Sequence, residues 1–381
     1  MIKGLTRLWL LGAKRIAKAQ KAQNKKLIKV LFAKPPAVKS PRRRPAAPAA
    51  AATATVATKR TQTAAKPAIP AAARLPGKWM ASYYSSLADG ASPPGRRMSY
   101  WLYLPAKVVS GPLPLVVMLH GCEQTAVRFS EGTRMNRLAE QKGFAVLYPQ
   151  QSLRRHPNRC WHWYEKPTQD GGGDVQLIVG IIGQVVDKYA MDRSRIYIAG
   201  LSAGASMAGI VALNFPNLIA AVGLHSGTVF GAGRSRMDAY AIMQTGAAGK
   251  IGGPIRDVLE KSGAFPGMPA ILIHGQSDKV VRPVNLTQLA QQFRLLNRLS
   301  GDGEPPPVLK LAAKPGARNP ANAYKTIDHY SGRKLMLRVC DILQLDHAWS
   351  GGDCKLQYNA CAGPDASKMM WDFFARHRRS A

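Results

Sequence analysis

A pentapeptide centred on a serine, Gly200-Leu201-Ser202-Ala203-Gly204, follows the β-branched and aromatic run RIYIA and precedes a helical stretch. A sharp strand-to-helix turn there would project the Ser202 hydroxyl, and the glycines would remove side chains that collide in such a bend. The helix that starts at this point would aim its amide dipoles at charge formed near Ser202 Oγ. The same residues would also suit a plain turn with Ser202 as N-cap. What makes the pattern specific is its place between strand and helix.

A serine nucleophile needs a general base and donors for the oxyanion of its tetrahedral intermediate. Eight histidines are available as bases. His347 lies in the polar, glycine-rich LDHAWSGGD, beyond the last strand run, and is the chosen base. His120 and His274 end earlier strands and read as supports for neighbouring loops, while His225, after the strand that follows the serine, is a weaker alternative. Asp278, in IHGQSDKVV, follows another strand and is chosen to orient the imidazole over Asp346, the sequence neighbour of His347. The chain order is then Ser202, Asp278, His347. Ala203 N–H supplies one oxyanion donor, and the His120-Gly121-Cys122 turn supplies the second through Cys122 N–H. The same turn would also serve simply to end a strand.

These residues need a scaffold, and the sequence from residue 79 onward alternates strand and helix patterns. RRMSYWLYLP, PLVVMLH (114–120), FAVLYP (144–149), RIYIAG (195–200), AAVGLHSG (220–227), PAILIHG (269–275) and KLMLRVCDIL (334–343) read as strands. Helical patterns fall at 132–143, at 174–189 with Asp174 as the cap, after Ser202, and at 285–299. This alternation predicts a mostly parallel sheet with helices on both faces. The Pro/Gly-rich stretch 300–333 reads as an excursion, and no internal repeat is evident.

The charge of +33 is unevenly spread: the first 78 residues hold 19 Lys or Arg and no acid, leaving 35 basic against 21 acidic residues beyond them. Residues 1–34 read as a basic helix, and the Ala/Pro-rich 35–78 lacks the large apolar side chains that would offset the entropy of ordering it. Residues 79–381 form the expected catalytic domain. The arm reads as an electrostatic tether to a polyanionic surface (lipid, nucleic acid or granule) or as a plain solubilising tail. No specific nucleic-acid motif occurs. No apolar run reaches the ~20 residues of a membrane span, and LWLLGA falls short of a signal-peptide core. The five cysteines, Cys122, Cys160, Cys340, Cys354 and Cys361, include no CxxC pair. The reading calls for no cofactor and no metal.

HGCEQ (120–124), RCWHWY (159–164), GLSAGASM (200–207), HSG (225–227), HGQSD (274–278) and HAWSGG (347–352) occur together in this order. On them the chain resembles the polyhydroxybutyrate depolymerase family of esterases, of the short-chain type related to feruloyl and acetylxylan esterases, across residues 80–375. The resemblance implies an α/β-hydrolase fold with Ser202, Asp278 and His347 as catalytic residues and the HGC loop in the oxyanion hole. It also implies a Cys122–Cys160 bridge, which would favour an extracellular or periplasmic setting. A bridge between Cys354 and Cys361, with Cys340 free on a buried strand, and exposed free thiols both stay open. Trp161 and Trp163 would share one face of an extended segment, and one of them is expected to line the substrate pocket. The implied substrates are 3-hydroxybutyrate oligomers or short polyester chains, with feruloyl or acetyl esters on polysaccharide as the alternative. A different class of reading is a catalytically idle protein that binds surfaces through its basic arm. Polymer-degrading relatives often carry a polymer-adsorbing domain after the catalytic unit, whereas this chain ends at Ala381 soon after the expected final helix.

Overall fold

The computed structural model describes residues 75–86, 95–106, 111–249, 251–299, 305–314 and 321–379. The helix expected over 1–34 and the linker as far as residue 74 lie outside them. The described part begins with Leu75, packed against the core, and leads into β1 (Lys78–Ser85), a strand beyond those expected from the sequence pattern.

Nine further strands complete one sheet: β2 (Arg97–Leu104), β3 (Leu113–Leu119), β4 (Ala145–Gln150), β5 (Met191–Leu201), β6 (Ala221–His225), β7 (Ala270–Gly275), β8 (Val308–Lys310), β9 (Tyr324–Ser331) and β10 (Lys334–Ile342). Their spatial order is β1-β2-β4-β3-β5-β6-β7-β10-β9-β8. The six from β4 to β10 run parallel, while the wings β1-β2 and β9-β8 are antiparallel. The expected α/β-hydrolase architecture is the observed one.

Side-chain alternation explains why the parallel strands read as continuous apolar runs. In β3, Leu115, Val117 and Leu119 face one core layer and Val116 and Met118 the other; in β5, Ile196 and Ile198 oppose Tyr197 and Ala199 in the same way. The first layer is covered by α4 (Asp174–Lys188), α5 (Ala203–Asn214), α6 (Arg236–Thr245), α7 (Gly253–Lys261) and α8 (Val284–Leu296). The second is covered by α1 (Ala126–Thr133), α2 (Met135–Lys142) and α9 (Ala366–Phe374). A single turn, α3 (Lys166–Gln169), precedes α4.

Three local expectations change. The helix expected over 132–143 is α2, which begins only at Met135; Gly132 and Thr133 end α1, and Arg134 with φ 57° separates the two. Contacts from the distant C-terminal segment take the carbonyls there: Ser367 Oγ donates to Thr133 O and Asp353 N–H to Gly132 O. Asp174 is not the cap of α4, since Gly173 holds that position and Asp174 is the first helical residue. The stretch 300–333 supplies β8 and β9, with β9 clamped to β10 by a two-pronged Arg338–Asp328 ion pair at 2.5 and 2.7 Å.

Register aligns the functional loops. Leu119 pairs with Gly200, Leu201 with His225, His225 with Ile273, and Ile342 with Gly275. The carboxyl ends of β3, β5, β6, β7 and β10 therefore share one edge, and His120, Ser202, Asp278 and His347 lie just beyond it.

Candidate active site

Ser202 leaves β5 and caps α5 with φ 57° and ψ −123°, a conformation that costs energy in a non-glycine residue and persists only where its surroundings impose it. Ser202 N–H donates to His225 O at 2.9 Å on the adjacent strand, and Ser206 N–H donates to Ser202 O at 3.0 Å to open the helix. A side chain at Gly204 would collide with the carbonyl oxygens of Leu119 and His120. Glycine there lets α5 start against the end of β3, beside the HGC turn.

Asp278 and His347 come together through a backbone seam. Gln276 N–H donates to Ile342 O and Ser277 N–H to Leu345 O, which zips the loop after β7 to the loop after β10. Gly275 permits this approach, because a Cβ on it would overlap the Leu345 carbonyl oxygen. At the end of the seam His347 Nδ1 lies 2.7 Å from Asp278 Oδ2. Asp278 Oδ1 accepts the amides of Val280 and Val281, each at 2.9 Å. Burial pushes the Asp278 carboxyl up, but His347, His274 and the Val281 amide outweigh it and hold the group below the usual carboxylate range. Asp346, the competitor, is exposed.

The HGC turn adjoins Ser202: the Cβ position of Gly121 is 3.4 Å from Leu201 O and 3.6 Å from Ser202 Cβ. Gly121 N–H donates to Gln124 Oε1 at 2.8 Å, Glu123 N–H to Asn158 O at 2.7 Å, and Gln124 N–H to Gly121 O at 3.4 Å. Among the described residues the remaining amide of the turn, Cys122 N–H, has no acceptor. Cys122 is bridged to Cys160, and Trp161 Nε1 donates to His120 O at 2.9 Å. Trp161 is thus fully buried beneath the turn. Trp163 lines a small, mostly apolar pocket with Ile210, Leu224, Val229 and Phe293, and with Ser206 one helical turn beyond Ser202.

Behind the turn sits a buried charge that sequence reasoning missed as such. Asp174 accepts from Gln151 Nε2 at 2.6 Å and Arg96 Nη2 at 3.0 Å, with His162 Nδ1 at 3.3 Å and Arg155 at 3.6 Å. Burial raises its carboxyl, yet His162, Arg155 and Gln151 bring it below the ordinary value. Only the cap-like position of Asp174 before an apolar helix was visible in sequence.

His225 and His274 brace the loops around Ser202, Asp278 and His347. His225 is fully buried, stacks on Trp349, and accepts Ser350 N–H on Nε2 at 3.3 Å. One residue thus touches both the Ser202 turn, through its carbonyl, and the loop of His347, through its ring. Burial, with His274 and His347 beside it, drives its imidazole down to about 3, so it stays neutral. His274 Nε2 donates to Val281 O at 2.8 Å and braces the turn that carries Asp278. Cys354 and Cys361 are bridged, and Cys340 is free and buried. Among the described residues no group of three His, Cys, Asp or Glu side chains forms a metal-binding set, and no helix is long and apolar enough to cross a membrane.

The model of the family described as esterase PHB depolymerase matches residues 98–303, more than half of the chain. The chain belongs to this family of carboxylic-ester hydrolases. Among the chain's relatives, a poly(3-hydroxyalkanoate) depolymerase C of Paucimonas lemoignei is 33% identical over 47% of this chain and 44% of its own. Feruloyl esterase B of Thermothelomyces thermophilus is 31% identical over 51% of this chain and 68% of its own. The chain spans about half the length of the first curated relatives it matches. An acetyl xylan esterase from Aspergillus awamori shares the fold, with a TM-score of 0.58, 20% identity, and coverage of 77% of this chain and 99% of that one.

Proposed function

We propose that this esterase works by a serine acyl-enzyme mechanism, with Ser202 as nucleophile, His347 as general base and Asp278 as the carboxylate that orients it. The observation that carries the reading is the 2.7 Å contact between Asp278 and His347 on loops leaving the same sheet edge as the strained Ser202 turn. His347 takes the Ser202 proton as Oγ attacks an ester carbonyl. Asp278 fixes the imidazole tautomer and favours its charged form. Cys122 and Ala203 amides receive the oxyanion, and His347 then protonates the departing alcohol. Water repeats the cycle and releases the acid.

For substrate, the likeness to feruloyl esterase B, which extends over more than two thirds of that relative, supports feruloyl or acetyl esters of polysaccharide. Identity of 33% to a polyhydroxyalkanoate depolymerase supports 3-hydroxybutyrate oligomers or short polyesters as the second reading. The deciding assay offers methyl ferulate, acetylated xylan and 3-hydroxybutyrate oligomers to wild type and Ser202→Ala. Turnover of the first two and not the third is expected, abolished by the substitution. Undiminished turnover by Ser202→Ala would refute the nucleophile.

The two bridges support an extracellular or periplasmic site of action. The basic segment before residue 75 suits a polyanionic surface, a reading that salt-insensitive binding to anionic vesicles or DNA would reject.

A further inference from the structure

We propose that His120 is a positioning residue whose Nδ1–H holds the Gly121 carbonyl so that the opposite end of the same peptide, Cys122 N–H, is presented to the Ser202 reaction centre. This rests on the serine-esterase reading and adds a residue to it that touches no substrate.

The partners of the ring fix its state. His120 Nδ1 is 2.8 Å from Gly121 O, a carbonyl that can only accept, so Nδ1 carries the proton. His120 Nε2 is 3.1 Å from Gln151 N–H, which can only donate, so Nε2 is the acceptor. The Gln150 side chain also offers its amide nitrogen to Nε2 at 3.1 Å, and its orientation is set by Ala126 N–H donating to Gln150 Oε1 at 2.8 Å. The imidazole is therefore the neutral Nδ1–H tautomer. Burial, aided by the Arg159 charge, brings its pKa down to about 4 despite the Gly121 bond, in keeping with that state.

Peptide planarity carries this bond to the reaction centre. Gly121 C=O and Cys122 N–H belong to one rigid trans unit and point in opposite directions. Pinning the oxygen on the buried side toward His120 turns the N–H to the other side, and a Cβ placed on Gly121 would lie only 3.6 Å from Ser202 Cβ. The neighbouring amides are consumed by Gln124 Oε1, Asn158 O and Gly121 O, which leaves Cys122 N–H as the donor of the turn among the described residues. The ring is held from behind: Gln151, whose N–H meets Nε2, is tethered by its side chain to the buried Asp174. The Cys122–Cys160 bridge restrains the position of the turn; His120 sets the rotation of the peptide within it.

Two near-isosteric substitutions separate the two ring nitrogens. His120→Asn places an amide N–H near the Nδ1 position and restores the donor to Gly121 O. His120→Gln places an amide oxygen near the Nε2 position, keeps an acceptor for Gln151 N–H and loses the donor. With 4-nitrophenyl acetate, His120→Gln is expected to lower kcat about 10²-fold, the effect of losing one oxyanion donor, with little change in KM. Its affinity for a trifluoromethyl ketone, whose serine adduct bears an oxyanion, should fall by a similar factor. His120→Asn should stay near wild type in both. Equal losses in the two variants, or none in His120→Gln, would overturn the proposal. Nitrogen NMR of histidine-labelled wild-type protein tests it without a variant that must fold: a His120 proton on Nδ1 supports it and one on Nε2 overturns it. A Ser202→Ala control keeps the two levels apart, since retained activity there would bring down the esterase reading itself.

Discussion

At the scale of single residues, the site rests on two close approaches and one carboxylate. Asp278 is buried, accepts two backbone amides on one oxygen and faces His347 with the other. Asp278→Asn keeps that shape but offers a donor or a neutral oxygen where the imidazole needs an anion. Under the proposed mechanism kcat should fall about 10³–10⁴-fold, with a smaller effect on KM. Asp346→Asn, at an exposed neighbour of His347, should leave kcat near wild type; a collapse there in place of Asp278 would reassign the orienting acid. Gly204→Ala forces a methyl group onto the carbonyls that end β3. It should lower Tm and reduce reaction of Ser202 with a fluorophosphonate probe, and full labelling in a normally stable variant would contradict so tight a turn.

At the scale of elements, the restraint on the HGC turn gives a further prediction. The Cys122–Cys160 bridge closes a separation of 38 residues, which corresponds to about 4 kcal/mol of unfolded-state entropy in the chain-closure model. The double substitution Cys122→Ser, Cys160→Ser should lower unfolding free energy by a few kcal/mol in denaturant titration. Under the proposed mechanism it should also reduce kcat more than KM, because the HGC turn loses one of its ties; a loss confined to stability would show that the other contacts suffice. How far these elements were legible depends on which contacts make them. The parallel strands were readable because both faces are buried, leaving runs such as AILIHG. The Ser202 turn was readable because its glycines and its flanking strand are local. The break at Arg134 was not, since it depends on Ser367 and Asp353 arriving from the far end of the chain. Strand β9 hid in a polar stretch because it lies next to the sheet edge, with most of its residues only partly buried or exposed. α6 and α7 are short, bury only a few residues each and sit among glycines, so little in the pattern marked them out. Among the proposed site residues, Ser202, Asp278 and His347 stood in motifs that strand ends brought to one sheet edge. The roles of Asp174, Gly275 and His225 as ties became visible only once strand register placed their partners.

At the scale of the whole molecule, the fold keeps several imidazoles neutral in its interior, and acid should find them. Burial holds His120 at about 4, His225 at about 3 and His377 at about 4, and lowers His274 as well. In the unfolded chain each returns to roughly 6.5. Between about pH 6.5 and 4 the unfolded state therefore binds protons that the native state refuses, so stability must fall as pH falls through this window. Each such proton contributes a slope of about 1.4 kcal/mol per pH unit. The depressed carboxyl of Asp278 acts in the same direction but lower: its contribution is present above the ordinary Asp range and is lost only as pH drops through its own reduced value. Denaturant titrations at pH 7, 6, 5 and 4.5 should thus show a steep decline that begins well above the carboxylate range, steeper than Asp278 and Asp174 could produce. Replacing His377, which lies outside the catalytic loops beside Phe373, with Phe should flatten that decline while leaving ester turnover at pH 7 unchanged. A stability profile that stays level down to pH 4.5 would mean that these rings gain protons in the native state, and the interior would then be wetter than its packing indicates.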